Sequence, residues 1–185
     1  NINIDPTNKH QYLYYSPSEE GHPYRIPAIT TTANGYVFAI NDYRPCGNDI
    51  GYGEVDLVMR HSIAAGNKWD GQSWTDPIKI ADGLGNTAPE TWLVGFGDPA
   101  IVADRTSNEV LIIAVAGCTV YGNGNTTRQN PNLIATIHST DNGNTWGTPV
   151  NVTEPIYSLF DSGNPMQAAF VGGGKVFQSR IVKVG

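Results

Sequence analysis

The chain has 185 residues and a net charge of −6, with 39% hydrophobic and 15% charged residues and 21 Gly plus 12 Pro. Gly and Pro together fill 33 of 185 positions, well above the average share of about 12%, which excludes a coiled coil; 18 aromatics exclude a disordered chain. No run approaches the ~18 consecutive apolar residues of a membrane-spanning helix, and the scattered Lys and Arg exclude nucleic acid, whose binding needs them clustered.

Strand-forming runs follow at short intervals. They cover Pro27–Thr32, Tyr36–Asp42, Val55–His61, Ala100–Ala103, Val110–Ala116, Leu133–Ser139 and Lys175–Val184. Between them stand Asn34-Gly35, Gly83-Leu84-Gly85, Asn123-Gly124-Asn125, Asn142-Gly143 and Gly172-Gly173-Gly174, residues suited to positive φ and tight hairpins. No long window holds an amphipathic helical stripe free of Gly or Pro. The chain therefore reads as all-β, built of hairpins, with no clear linker.

Cys46 and Cys118 stand 72 residues apart without a CxxC or a nearby His pair. That pattern does not suit zinc, and it leaves a disulfide and two buried thiols equally open. The start at Asn1 fits a processed N-terminus. Asn125-Thr126-Thr127 and Asn151-Val152-Thr153 match the glycosylation sequon, and in so Asn- and Thr-rich a chain they read as chance matches.

An internal repeat is visible. Val58–Ser62 and Ala135–Ser139 both end a strand on His-Ser, and each is followed by a Gly/Asn turn, Trp, Thr and Pro. The second copy runs Ser139, Asp141, Gly143, Thr145, Trp146 at alternate positions and then the next residue. Asp caps turn amides, Gly takes positive φ, Thr backs the turn and Trp plugs the core beneath it. This octet resembles the Asp-box, Ser-x-Asp-x-Gly-x-Thr-Trp, of sialidases and related β-propellers. Val58–Pro77 then resembles a degenerate copy that has lost the Asp. The Asp-box is a structural turn remote from chemistry.

A second group carries chemistry. Tyr24-Arg25-Ile26-Pro27 resembles the Phe/Tyr-Arg-Ile-Pro motif of sialidases. Nineteen residues after Arg25 comes Arg44, in Asn41-Asp42-Tyr43-Arg44, and five beyond it Asp49, followed by the strand opening Val55-Asp56. The order and spacing are those of the sialidase family. Guanidinium forks bind both oxygens of a carboxylate and stay charged at any working pH. The resemblance implies that Arg25 and Arg44 clamp a sialic acid carboxylate and that Asp49 is the acid/base, a role that needs burial or shielding to hold its proton. Asp42 is the runner-up acid and is read instead as supporting the Arg44 turn. Gly97-Asp98-Pro99 resembles the family's Asp-Pro at a later strand, which implies that Asp98 binds substrate. Phe160 and Gln167 are weaker candidates for a loop facing the sugar, while Trp92 and Phe96 are read as packing. Arg180 does not match the surroundings of the family's third clamp Arg.

The resemblance covers about Gly21 to Pro149 and implies that residues 1–185 are the N-terminal portion of a single six-bladed propeller domain, of which about 50 residues per blade put three to four blades in this chain. It implies an exo-alpha-sialidase that acts on sialylated glycans or glycoproteins with retention, needs no cofactor or metal, and is secreted or periplasmic. Trans-sialidase and a non-catalytic sialic acid-binding module are the alternatives. The family's nucleophilic Tyr, its Glu partner and further Arg residues match no segment here. The rest of the propeller is expected as a chain continuation or second fragment, and this piece alone is expected to be inactive.

Overall fold

In the computed structural model of the chain, residues 3–5, 10–16, 23–122, 124, 126–179 and 181–182 are described. Two antiparallel sheets dominate. The first is built from β3 (Tyr24–Thr31), β4 (Val37–Tyr43), β5 (Asp56–His61) and β6 (Ile78–Ala81), in sequence order from inside outward. The second takes β7 (Phe96–Ala103), β8 (Val110–Ala116), β9 (Leu133–Ser139) and the short β10 (Val150–Asn151) in the same way. A two-residue β11 (Gly174–Lys175) runs parallel to β7, and a hairpin of β1 (Asn3–Asp5) and β2 (His10–Tyr12) forms a third, small sheet.

Alternating burial shapes each sheet. Phe38 and Ile40 of β4, and Val110 and Ile112 of β8, are buried at every second position, so one face of each strand meets the neighbouring sheet. The sheets pack through Phe38, Ile40, Leu57 and Met59 on one side and Phe96, Ile101, Ile112 and Ile137 on the other. Fully burying one such side chain stabilises the fold by about 1.5–3 kcal/mol. Inner strands β3 and β7 lie side by side.

Several expectations need revision. Where residue count predicts three to four blades, the described residues complete two main sheets, one of four strands and one of four plus the short β11, because loops such as 44–55 and 117–132 lengthen each one. Among the described residues of Lys175–Val184 only Lys175, the second residue of β11, is strand, and Arg180 and Asn125 lie outside the described residues. A short α1 (Thr153–Tyr157) follows β10. Cys46 and Cys118 are neither disulfide-bonded nor buried; both are free and exposed. No described helix is long and apolar enough to cross a membrane.

The Ser139–Trp146 turn is fully cross-linked. Ser139 Oγ donates to Asp141 Oδ1 at 2.8 Å and accepts from Gly143 N at 2.8 Å, while Asp141 accepts from Thr145 N at 2.9 Å and Thr145 Oγ1 at 2.6 Å. These donors hold the Asp141 carboxyl down at about 2. The earlier copy has not lost its carboxylate: Asp70 accepts from Gln72 N at 2.8 Å, Ser73 N at 2.7 Å and Ser73 Oγ at 2.5 Å. Asp70 sits one residue nearer its Trp than the octet requires, which hides it from a motif reading.

Candidate active site at the rim between the two sheets

At the opposite end of the strands from these turns, β3 and β7 carry the same irregularity. In the register, Arg25 pairs with Asp42 and Ala28 with Ile40, so one extra residue bulges from β3. Likewise Gly97 pairs with Val115 and Ala100 with Ile113. Both bulges place the residue before proline at positive φ, Ile26 at 54° and Asp98 at 51°. Such backbone is unusual for any residue with a Cβ, and more so for a β-branched one; sites of this kind cost about 1–3 kcal/mol each. The two segments read Ile26-Pro27-Ala28-Ile29 and Asp98-Pro99-Ala100-Ile101, a correspondence visible in the sequence once the two strands are aligned.

The bulges open onto a cavity of about 440 Å³ lined by Arg25, Arg44, Asp49 and Asp98. All four residues that the motifs single out therefore meet in one place. Arg25 is exposed and forms no ion pair with any described residue. Arg44 is the opposite case. It is 2% exposed, and its Nε and Nη2 donate to the fully buried Asp42 carboxylate at 3.0 and 2.7 Å. The same Nη2 lies 3.1 Å from Asp49 Oδ1 and 4.0 Å from Asp98 Oδ2, and Nη1 is buried without a partner.

Arg44 gives Nε and one N–H of Nη2 to Asp42, which leaves the second N–H of Nη2, 3.1 Å from Asp49 Oδ1, and both N–H groups of Nη1 as donors. The Asp49 side chain is 51% exposed. Its loop is held by the neighbouring Ile50, buried with Val55 and Val115, and by Gly51, whose φ of 101° and close approach to Val120 leave no room for a Cβ. Shielding of Asp49 has to come from whatever fills the cavity.

Two carboxyls are displaced upward. Burial pushes Asp42 up to about 7 against the hydrogen bonds and charge of Arg44. Burial and the charge of Asp49 push Asp98 up to about 6, opposed by Arg44 and Arg25. The cluster thus holds carboxyls that titrate far apart from an ordinary Asp, a pattern common at functional sites.

Phe160 and Gln167 do not line the cavity: Phe160 is half exposed, and Gln167 accepts a hydrogen bond from Arg128 N at 3.3 Å. Trp92 and Phe96 pack into the core, as read from sequence. The cavity wall instead includes Tyr52, Val120, Tyr121 and Phe170. Tyr121 and Phe170 have ring centroids 4.7 Å apart. Arg128, bridged to Asp161 and Glu154 and stacked over Tyr157, ties together the two segments that supply them. No periodicity marks these wall residues, so the sequence offered no signal for them.

A separate acidic trio, Glu54, Asp56 and Asp82, also converges. Lys79 Nζ occupies it, 2.8 Å from Asp56 and 2.5 Å from Asp82.

Comparison with known proteins bears on the whole arrangement. No family model matches the chain. A sialidase from Bacteroides fragilis is 27% identical over 143 residues, which is 72% of this chain and 25% of the relative. An exo-alpha-sialidase from Aspergillus fumigatus is 27% identical over 148 residues, 73% of this chain and 34% of the relative. A sialidase from Micromonospora viridifaciens is 33% identical over 133 residues, 69% of this chain and 19% of the relative. The chain thus spans between 19% and 34% of the length of these relatives. Among solved structures, the Hadza microbial sialidase Hz136 matches with a TM-score of 0.58 at 20% identity, covering 76% of this chain and 28% of that one. Trypanosoma rangeli sialidase matches with a TM-score of 0.56 at 17% identity, covering 94% of this chain and 26% of that one. The intramolecular trans-sialidase from Ruminococcus gnavus, in complex with oseltamivir carboxylate, matches with a TM-score of 0.53 at 13% identity, covering 77% and 51%. The two main sheets are blades of a partial sialidase-like β-propeller.

Proposed function

The chain is a sialidase homologue that carries part of the propeller, and on that premise we propose that the intact protein is an exo-alpha-sialidase, removing terminal α-linked sialic acids from sialylated glycans with retention. The observation that carries this reading is the convergence of Arg25, Arg44, Asp49 and Asp98 from two blades on one cavity of about 440 Å³. Arg25, the exposed cation, pairs with the sugar carboxylate. Arg44 offers Nη1 to a polar substituent, and Asp98 accepts from a hydroxyl beside it. Asp49 gives a proton to the leaving glycosidic oxygen and then takes one from the attacking water.

Sialidases depart from the two-carboxylate scheme by using a Tyr nucleophile. A neutral phenol suits an anomeric carbon that already bears a carboxylate. Tyr52 and Tyr121 line the cavity but have no carboxylate partner within hydrogen-bonding distance among the described residues. The nucleophile, its Glu and the remaining clamp Arg residues come from the rest of the propeller, as a continuation or a second fragment. Secretion or export to the periplasm fits a substrate on cell-surface or extracellular glycans.

In the intact protein, Asp49→Ala is expected to lower kcat/KM on a natural sialylated glycan by about 100-fold or more, the low end of general-acid contributions. It is expected to spare turnover of a nitrophenyl sialoside, whose leaving group needs no proton. Equal losses on both overturn the acid role. The likeness to an intramolecular trans-sialidase favours transfer as the second reading. Product analysis with added lactose decides between them: free sialic acid marks hydrolysis, sialyllactose marks transfer to an external acceptor, and an anhydro sialic acid marks transfer to the sugar's own hydroxyl.

A further inference from the structure

The buried carboxylate that the proposed chemistry does not use is Asp42, and we propose that it is a positioning residue that sets Arg44 and Asp98 in register across the boundary between the two blades. The inference rests on the sialidase reading for its consequence in binding, though not for its geometry. Asp42 stands near the end of β4 and is 0% exposed. Its Oδ2 accepts both Arg44 bonds side-on, at 3.0 and 2.7 Å. Its Oδ1 accepts from the backbone N–H of Asp98 at 2.8 Å, 56 residues away in the chain and on the other blade. One rigid carboxylate therefore fixes a guanidinium on one side and the backbone that carries a second cavity carboxylate on the other.

The donor from Asp98 is available because the β7 bulge withdraws it from the strand ladder. Without an acceptor it would be an unsatisfied buried amide, so Asp42 also holds the left-handed backbone of Asp98 in place. The gap is sized to the side chain: a Cβ on Gly97 would lie 3.1 Å from Asp42 Oδ2 and 3.1 Å from Ile50 Cγ1. Residue type follows from counting donors. Three N–H groups converge on two carboxylate oxygens, and Asn would replace one acceptor with an NH₂ that faces another donor. Glu would place its carboxylate a methylene too far into the boundary.

The test uses the intact protein, with an unsaturated 2,3-didehydro sialic acid as the probe and calorimetry as the readout. Asp42→Asn is expected to weaken probe binding by about tenfold and to raise KM more than it lowers kcat, while circular dichroism keeps the β signature. In an Asp98→Asn background, which keeps the backbone amide but removes the carboxylate it positions, the same change is expected to cost less than in the parent, because the share of the loss that runs through the Asp98 side chain is already gone. Losses that multiply in the double variant overturn the proposal. Amide hydrogen exchange gives a readout independent of sugar chemistry: the Asp98 amide is expected to exchange faster in Asp42→Asn, and unchanged exchange overturns the proposal. If Asp42→Asn does not fold, Gly97→Ala crowds Oδ2 without removing the charge and is expected to move both readouts in the same direction. A parent protein that neither turns over sialosides nor binds the probe refutes the sialidase reading, and exchange at Asp98 still decides the role of Asp42.

Discussion

The two blades meet at both ends of their strands, and the two meetings are chemically opposite. At the turn end, Gly143 of the second blade lies against the Phe38 ring of the first, with Trp146 packed on the same core. Ser139, Asp141, Gly143, Thr145 and Trp146 find their partners inside the octet, and Asn142 is held by Asn108 of the same blade. At the rim end the meeting is a buried charge: Asp42 reaches across to the Asp98 amide, Arg44 sits among three carboxylates, and two residues hold positive φ. The turn end is arranged as a stabilising contact would be. The rim end carries strain and desolvated charge that a merely stabilising contact would not need, which is the usual mark of a region shaped by a ligand.

Breaking the turn end is expected to have the largest effect on stability. A side chain at Gly143 would start 2.3 Å from Phe38 Cε2, on backbone with φ of 79°. Gly143→Val is expected to lower the unfolding free energy by about 3 kcal/mol, from overpacking together with an incompatible backbone. Urea denaturation of the intact protein reads it as a lower midpoint.

A second comparison uses pH, and the two ends are expected to have slopes of opposite sign. Asp42, with its carboxyl raised from 3.8 to about 7, holds a proton in the folded chain over a range where the unfolded chain has lost it. Its contribution to stability is therefore present below about pH 4 and is lost as pH rises toward about 7. Asp141, lowered from 3.8 to about 2, does the reverse: its contribution is present above about pH 4 and is lost as pH falls toward about 2. The stability difference between the protein and its Asp42→Asn form should fall from pH 4 to 7. The difference from Asp141→Asn should rise from pH 2 to 4. Parallel slopes would remove the contrast between the ends.

The smallest effects sharpen the likeness between the two turns. Asp141→Ala is expected to lower Tm by more than Asp70→Ala. Asp141 organises a turn wedged against Phe38, whereas the three hydrogen bonds to Asp70 come from an exposed loop. Equal shifts in a thermal melt would show that the wedge adds nothing to the cap.

Most strands were legible because their apolar alternation is local. Where reading stopped short, the cause was specific. The expected starts at Pro27 and Ala100 lie inside β3 and β7, whose first residues precede prolines that ordinarily break strands; the bulges accommodate them. β6 is four residues long between Pro77 and Asp82, too short for periodicity to register. The four cavity residues Arg25, Arg44, Asp49 and Asp98 were legible through motif spacing. The support Asp42 gives Arg44 was legible from their closeness in the chain, but its link to Asp98 was not, since that partner is 56 residues away and the contact runs to a backbone atom that sequence does not distinguish. The wall residues Val120, Tyr121 and Phe170 come from irregular segments whose placement depends on the Arg128 bridges.

The paired bulges before Pro27-Ala28 and Pro99-Ala100 bear on how such a ring diversifies. Each blade presents a short stretch of backbone to the rim and resumes regular pairing immediately beyond it. A change of residue there alters the charge or size offered to a ligand while the ladder behind it stays intact. Duplicating a blade duplicates that position along with the scaffold that supports it. Lineages built this way can change what they recognise one substitution at a time, with no need to evolve a new fold.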